Sequence, residues 1–226
     1  AEAMTGDLTF AGNGMTVRLD SAQIFGLRLS AVNASIADFD RSVLRLDLLG
    51  TGPAQEMVRF SNESPLNARL GGVTNSVQTT GDARVNVRLS LPLAQLDQTS
   101  VNGGIQFAGN SVAFESAIPP LTQVQGYLDF SDRGFALREL RGIFLGGPIA
   151  LEADTQTRAT ASSQPIDLRA SGTVSAAGLR QLVDNELLRR LSGNTRYEAQ
   201  LNIQGASTRL RVKSDLIGLG LSLIHI

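Results

Sequence analysis

Strict alternation of apolar and polar residues is the feature of this sequence that most restricts its fold. In Ala83–Leu91, valine and leucine occupy every second position, with arginine, asparagine and serine between them. The same period of two recurs in Met15–Asp20, Val43–Leu48, Arg196–Ile203 and Arg209–Leu216. Successive side chains of a strand point to opposite faces of a sheet, so these segments predict strands with one apolar and one polar face. Because antiparallel sheets tolerate one wet face, we expect a meander of roughly a dozen antiparallel strands.

Turn-forming residues separate the alternating segments. Gly12–Gly14 and Gly109–Asn110 combine glycine with asparagine, and Ser131–Gly134 combines serine, aspartate and glycine. Glycine, asparagine and aspartate are the residues that adopt the backbone angles of tight hairpin turns. Each of the three sites therefore predicts a turn between two strands.

Two stretches have helical character. Pro53–Asn62 starts with proline, which the first turn of a helix tolerates. Ser175–Gly193 carries an apolar stripe at spacings of mostly three and four residues, with Ser175 as the predicted N-cap and Gly193 as the predicted stop. Two short helices are too few to cover both faces of so large a sheet. The stripe consists of Leu179, Leu182, Val183, Leu187 and Leu191.

Few residues are available for chemistry. The chain has no cysteine, which excludes thiolate metal sites and cysteine nucleophiles. His225 is its one histidine, so a histidine-rich metal site cannot form, and a hydrolase triad would have to use this one residue. Phosphate-binding and catalytic motifs are missing. The formal net charge of −1 provides no basic field for nucleic acid, and no apolar run approaches the ~20 residues that span a bilayer. We predict a protein that is not an enzyme, with no metal, no cofactor and no nucleic-acid partner.

The apolar face of the predicted sheet must be hidden, and three architectures can hide it. The sheet can pack against a second sheet as a sandwich, close into a barrel, or bend into a trough. In the first two the apolar residues are ordinary core, whereas in the third they line an elongated groove that suits an acyl chain. Composition alone favours the sandwich. The alternative function that goes with a closed core is a structural or interaction module of a cell-envelope or surface protein.

Six short phrases in the sequence succeed one another with a characteristic order and spacing. Together they resemble the periplasmic part of the YhdP family, within the wider AsmA-like group that includes TamB, over essentially the whole chain. Ordered along the chain, the phrases are SPLNARLGG (Ser64–Gly72), LPL (Leu91–Leu93), LGGPIAL (Leu145–Leu151), GTVSAAGLRQLVDN (Gly172–Asn185), LSGNTRYEAQLNI (Leu191–Ile203) and SDLIGLG (Ser214–Gly220).

The resemblance implies an interior fragment of a longer envelope protein of Gram-negative bacteria. Such proteins are anchored in the inner membrane by a helix that lies outside this segment, and they cross the periplasm as a long, curled antiparallel β-sheet. Their hydrophobic groove is thought to carry phospholipid towards the outer membrane. The implied partners are phospholipid acyl chains and, through parts outside this fragment, the inner and outer membranes.

The family supplies no catalytic residues, so the resemblance transfers only a role as groove lining. Each candidate has an ordinary core position as its alternative, and we expect many of them to pack under the helices rather than contact lipid. The candidates are Val17, Leu19, Leu27, Leu29, Leu44, Leu46, Val85, Val87, Leu89, Leu201, Ile203, Leu210 and Val212.

Residues 1–220 are predicted to form one elongated groove region. Phe10–Asn13 and Phe107–Asn110 both have the sequence FAGN, which predicts internal repetition with sub-repeats 1–93 and 94–220. The last six residues, Leu221–Ile226, depart from the family pattern, which continues into a proline-containing stretch. Their sequence LSLIHI equals the translation of the end of a transposon widely used in sequencing. We therefore expect these six residues, with His225 among them, to be a sequencing artefact.

Overall fold

Antiparallel pairing of successive strands dominates the fold of this chain. A computed structural model describes residues 2–24, 26–63, 67, 72–114, 118–132, 134–155, 166–183, 185–204 and 207–222. In this part of the chain the strands are β1 (Glu2–Ala11), β2 (Gly14–Ile24), β3 (Leu27–Ile36), β4 (Val43–Pro53), β5 (Gln78–Thr80), β6 (Asp82–Pro92), β7 (Ser100–Ala113), β8 (Leu121–Ser131), β9 (Gly134–Phe144), β10 (Gly147–Asp154), β11 (Ile166–Ser175), β12 (Leu191–Gln204), β13 (Ser207–Lys213) and β14 (Leu219–Leu221).

All these strands belong to one open sheet. Its path runs β1-β2-β3-β4-β6-β7-β8-β9-β10-β11-β12-β13, while β5 pairs with β7 and β14 with β12. The prediction of a mainly β fold built on a single large antiparallel sheet is confirmed. The preference for a sandwich, which composition alone suggested, is wrong, because the described residues form one sheet rather than two stacked ones.

The helical segments are short. Helix α1 is Ala54–Glu63, α2 is Ala176–Leu182 and α3 is Glu186–Arg189. Two 3-10 helices cover Val73–Ser76 and Leu96–Gln98. The structure confirms the first predicted helix, which begins directly after Pro53.

The second predicted helix is wrong in its extent, because the segment breaks into α2 and α3. Val183 takes an extended backbone with φ −144° and ψ 123°, which ends α2. The side chain of Asn185 then accepts a hydrogen bond from Leu187 N at 2.8 Å and starts α3 as its N-cap. Gly193 does not stop a helix. It lies in β12, paired with Leu219 of β14.

Helices α1 and α2 lie at one end of the sheet, and two of the predicted hairpin turns lie at the other. Helix α1 follows β4, and α2 follows β11. Six antiparallel steps separate β4 from β11 along the sheet, so the two strands run in the same direction and both helices lie at the same end. We call it the helix end. At the opposite end, the turn end, the predicted turns at Gly12–Gly14 and Ser131–Gly134 connect β1 to β2 and β8 to β9, which confirms them.

The third predicted turn is wrong. Gly109 and Asn110 lie inside β7 as a β-bulge, where the register to β8 shifts between Ala108 and Asn110. Gly109 has φ 99°, a backbone angle that glycine adopts readily and that the bulge requires. Glycine followed by asparagine therefore marks a bulge here rather than a chain reversal.

Register shifts of this kind recur on both sides of the sheet centre. They occur in the pairs β1–β2 and β3–β4 on one side and in β7–β8, β8–β9 and β9–β10 on the other. The central pair β4–β6 keeps an unbroken register from Val43 to Pro53. Since a bulge bends its strand and increases the local twist, the sheet bends on either side of a regular centre.

The core is divided into clusters on the apolar side of the sheet. Met57 of α1 is 8% exposed and packs in one cluster with Val85 of β6, which stabilises the fold by roughly 1.5–3 kcal/mol for the buried methionine. The other members are Ala54 and Ala83 in this cluster, Ala22, Leu29 and Val32 in a second, and Leu121, Val124, Leu140 and Ile149 in a third.

Candidate functional site: an apolar face that crosses the strands

An uninterrupted row of apolar residues runs across the sheet, perpendicular to the strands. Residues paired directly in neighbouring strands have side chains on the same face, so the register identifies the row. It crosses eleven strands, and at about 4.8 Å between strands it is roughly 48 Å long. From β2 to β13 the row consists of Ala22, Leu29, Gly50, Val85, Ile105, Leu128, Leu137, Ala153, Leu168, Leu201 and Leu210.

Parallel rows widen this apolar face towards the turn end. One starts at Leu8 in β1 and ends at Val101 in β7, and another starts at Gly6 and ends at Phe135 in β9. Between their ends lie Val17, Ala34, Leu46 and Leu89 in the first row and Leu19, Val32, Leu48, Val87, Gly103 and Phe130 in the second.

The opposite face is polar and charged. Asp47 of β4 lies opposite Arg88 of β6, and their side chains form an ion pair of 3.5 Å while remaining 60% and 80% exposed. Ion pairs this exposed contribute at most ~1 kcal/mol, so their main effect is to keep this face in water. A cleft of about 300 Å³ on the polar side of β10–β13 is lined by charges of both signs, including Glu152, Arg169 and Lys213.

All thirteen candidate lining residues lie on the apolar face. Leu29 and Val85 are buried, and Val85 packs with Met57 of α1, as does the half-buried Leu27. Leu210 and Val212 lie on β13 and are 63% and 57% exposed. The remaining candidates are half-buried and lie along the rows described above or next to them: Val17, Leu19, Leu44, Leu46, Val87, Leu89, Leu201 and Ile203.

Several members of the apolar face were not among the candidates predicted from the sequence. Leu128 and Leu137 belong to the long row, and Phe130 faces Phe135 beside it. The signal for β8 was present, because Leu128 and Phe130 alternate with Tyr127 and Asp129. Bulges conceal the period of two in the first part of β8 and in β9, where Gln123 and Glu139 have φ of 53° and 51°.

Two of the six phrases meet at the helix end. The backbone N–H and Oγ of Ser175 both donate to the carbonyl oxygen of Leu145, at 3.1 and 3.2 Å. Ser175 Oγ also accepts from Gly178 N at 2.9 Å, which confirms Ser175 as an N-cap. A Cβ on Gly178 would overlap the carbonyl group of Leu145. The β9–β10 turn and the start of α2 are thereby locked together.

Tyr197 carries a buried polar atom on the apolar face. Its side chain packs against the cluster of Leu140 and Ile149, and its hydroxyl finds no hydrogen-bond partner among the described residues. Burial raises the pKa of the Tyr197 phenol, because the phenolate would lose more hydration than the neutral form. Nothing at this position resembles an activated hydroxyl.

Removing this hydroxyl is expected to leave stability unchanged or to raise it. Tyr197→Phe replaces by hydrogen a buried hydroxyl that has no partner among the described residues, and it should change the free energy of unfolding by about 0 to +1 kcal/mol at neutral pH. Above pH ~10 the unfolded chain loses the phenolic proton while the folded chain retains it, so wild-type stability falls as pH rises. The variant should lose less stability over that range. Urea unfolding at neutral and alkaline pH measures both effects.

Tyr127→Phe is the matched control for this substitution. Tyr127 is 44% exposed, and its hydroxyl accepts a hydrogen bond from Gln106 Nε2 at 3.1 Å. Because water can replace that bond, we expect a change within ~0.5 kcal/mol at neutral pH. A clear loss of stability in Tyr197→Phe alone would mean that the buried hydroxyl has a partner.

Neither metal-binding clusters nor membrane-spanning helices occur in the described part of the chain. Its His, Asp and Glu residues form no group of three or more that could hold a metal ion. Its helices are too short or too polar to cross a bilayer. His225, with the end of the LSLIHI segment, lies outside the described residues, and only Leu221 of that segment is placed in a strand.

Comparisons with known proteins agree on one family. The family model described as YhdP protein matches residues 1–223. The intermembrane phospholipid transporter YhdP of Escherichia coli (strain K12) is 22% identical over 215 residues, which cover 93% of this chain and 17% of that protein. The chain thus spans less than a fifth of the length of this relative. No solved structure matches the chain.

Proposed function

Because the chain belongs to the YhdP family, we propose that it is one segment of a transporter that conducts phospholipid between the inner and outer membranes. The observation that carries the proposal is the apolar row, which crosses eleven strands without a polar interruption. A row of that length exceeds what one compact core cluster needs. Its proposed role is a track for acyl chains, and the outcome is support of outer-membrane integrity.

The proposed movement is passive sliding along the rows. Apolar contact is non-directional, so an acyl chain that shifts from one strand to the next exchanges one set of methyl groups for an equivalent set. No specific bond has to break at any step. The polar lipid head group would stay in water beside the track, since the cost of burying an unpaired charge is large.

The bends in the sheet support a trough with the apolar face inside. Bulges in β1, β3 and β7–β9 curve the sheet on both sides of the regular β4–β6 centre. Helix α1 covers part of the apolar face at the helix end, where Leu27 and Val85 pack with Met57. The proposed lipid path therefore lies nearer the turn end, over Val87, Leu89 and their row neighbours.

The proposed location follows from the same role. A track between two membranes belongs in the periplasm, as part of a protein that is anchored in the inner membrane through a region outside this segment. The proposed partners are phospholipid acyl chains and, at the two ends of the longer protein, the inner and outer membranes. No catalytic step is needed for sliding, so we assign no catalytic residue.

Site-specific crosslinking tests the proposal. A photo-reactive phenylalanine derivative at Val87 should capture phospholipid in cells that produce the protein, and mass spectrometry of the adduct identifies the lipid. The matched control places the same group at Arg88, the next residue, whose side chain is 80% exposed on the polar face. We expect at least severalfold more lipid adduct at Val87, and equal labelling at the two positions would reject the track.

A further inference from the structure

The apolar face changes in width along the sheet. On β4 it is four residues wide, from Leu44 to Gly50, and each of these positions pairs with an apolar residue of β6. At about 3.4 Å per residue, this face measures roughly 20 Å along the strand. On β8 and β9 two adjacent rows of the face are half-buried, and they lie only roughly 7 Å apart. One row pairs Phe130 with Phe135, and the other pairs Leu128 with Leu137.

Polar residues border these two rows on the side of the turn end. In the row that ends at Val101, the next strand supplies Asp132, whose N–H donates to the carbonyl oxygen of Val101 at 2.9 Å. In the row that ends at Phe135, the next residue is Thr155, which is 4% exposed. Its Oγ1 accepts from Phe135 N at 2.8 Å and donates to the carbonyl oxygen of Phe135 at 3.0 Å. Both rows therefore stop at a polar residue.

A packed cluster borders the same two rows on the side of the helix end. Leu140 of β9 and Ile149 of β10 are each 7% exposed, and Val124 of β8 is 1% exposed. Interiors packed in this way have no space for an additional chain unless their side chains are displaced. The apolar surface that remains available next to this cluster on β8 and β9 is the pair of rows.

Phe130 lies in a space that a glycine leaves open. Gly103 of β7 is directly opposite Phe130, and a Cβ on Gly103 would overlap atoms of the Phe130 ring. The ring therefore lies over the backbone of β7. On its other side Phe130 is paired with Phe135, and directly opposite aromatic side chains stabilise each other. The two rings are thus held along the turn-end side of the narrow region.

The apolar face widens again beyond β10. Three consecutive rows of half-buried apolar residues cross β11 and β12. They pair Ile166 with Ile203, Leu168 with Leu201 and Ala170 with Ala199. The narrow region on β8 and β9 therefore separates two wider parts of the same face.

We propose that Leu128, Phe130, Phe135 and Leu137 form a neck of the lipid track, and that the two rings set its width. The inference rests on the proposed function, because a neck limits transport only if lipid moves across the strands. Over β4 and β6 several acyl chains have room to lie side by side, whereas the neck has room for far fewer. Phospholipid molecules therefore pass the neck one at a time.

A removable plug tests the neck in cells that produce the protein. The chain has no cysteine, so Phe135→Cys gives it one thiol, which a bulky methanethiosulfonate reagent modifies after folding. Photo-reactive groups at Val17 on β2 and at Leu201 on β12 report lipid on the two sides of the neck. We expect the plug to lower the lipid adduct at one reporter at least severalfold relative to the other, because lipid no longer crosses. A reducing agent that removes the plug should restore the adduct.

Two further plugs serve as controls. Arg141→Cys lies on the same strand but on the polar face, where its plug should leave both adducts unchanged. Leu46→Cys lies between the reporters on β4, where the face is wide, so its plug should lower the adduct less than the plug at Phe135 does.

The outcomes separate the neck from the track. Unchanged adducts with Phe135→Cys plugged, an equal fall at both reporters, or equal losses from the plugs at positions 46 and 135 would each overturn the neck and leave the track in place. If neither reporter captured lipid before any plug was added, the track itself would be rejected, and the neck with it.

Discussion

Gly178→Ala is expected to lower the free energy of unfolding by ~3 kcal/mol or more, the largest effect of any single methyl group we foresee in this chain. The added Cβ would overlap the carbonyl carbon and oxygen of Leu145. That carbonyl is held in place by two hydrogen bonds from Ser175. Neither side can yield without breaking the junction between the β9–β10 turn and α2. The midpoint and slope of urea unfolding measure the loss.

Gly220→Ala is the matched control for the same chemical change. A Cβ there would meet Ser192 Oγ at 3.1 Å, and that hydroxyl can rotate away. We expect a change within ~0.5 kcal/mol. Similar losses in both variants would mean that the chain is sensitive to any added methyl group, and that the junction has no special rigidity.

Asn110→Ala is expected to cost ~3 kcal/mol. Asn110 is 1% exposed, and its Nδ2 donates to the carbonyl oxygens of Thr80 and Asp82, both at 3.1 Å. Its Oδ1 accepts from Ala108 N at 3.0 Å. Alanine removes three hydrogen bonds at ~1 kcal/mol each and leaves their backbone partners in a site with little access for water. Thermal or urea unfolding checks the loss.

Asn13 supplies the control within the same chain. It follows the same three residues, FAG, but it lies in the exposed β1–β2 turn, where its Nδ2 donates to Asp38 Oδ1 at 2.8 Å. Asn13→Ala should therefore cost no more than ~1 kcal/mol. If the two variants were equally destabilised, burial would not be what makes Asn110 important.

The two asparagines also show where prediction from sequence stops. Identical FAGN phrases predict the same local structure, yet one makes a turn and the other a bulge within β7. The difference comes from partners distant in sequence, because the carbonyl groups of Thr80 and Asp82 hold Asn110 in the sheet. A local pattern contains no information about these partners.

Alternation, in contrast, was sufficient to place the thirteen candidates on the apolar face. Each strand's period of two determines which residues share a side, and antiparallel pairing then aligns those sides across the sheet. Thirteen residues chosen along six strands all lie on one face for that reason. Hydrophobic periodicity does not say what covers a face. In the stripe of α2 and α3, Leu182 is 41% and Leu187 57% exposed.

A path that crosses strands has a length set by the number of strands, whereas the length of each strand sets only its width. Gain or loss of one hairpin, as insertions and deletions produce, would change the reach of the apolar row by about 10 Å and preserve both face and direction. A single added strand would reverse every direction beyond it. The length of the apolar row can therefore change in steps of one hairpin. A polar residue within the row interrupts the apolar path, whereas loss of a whole hairpin only shortens it.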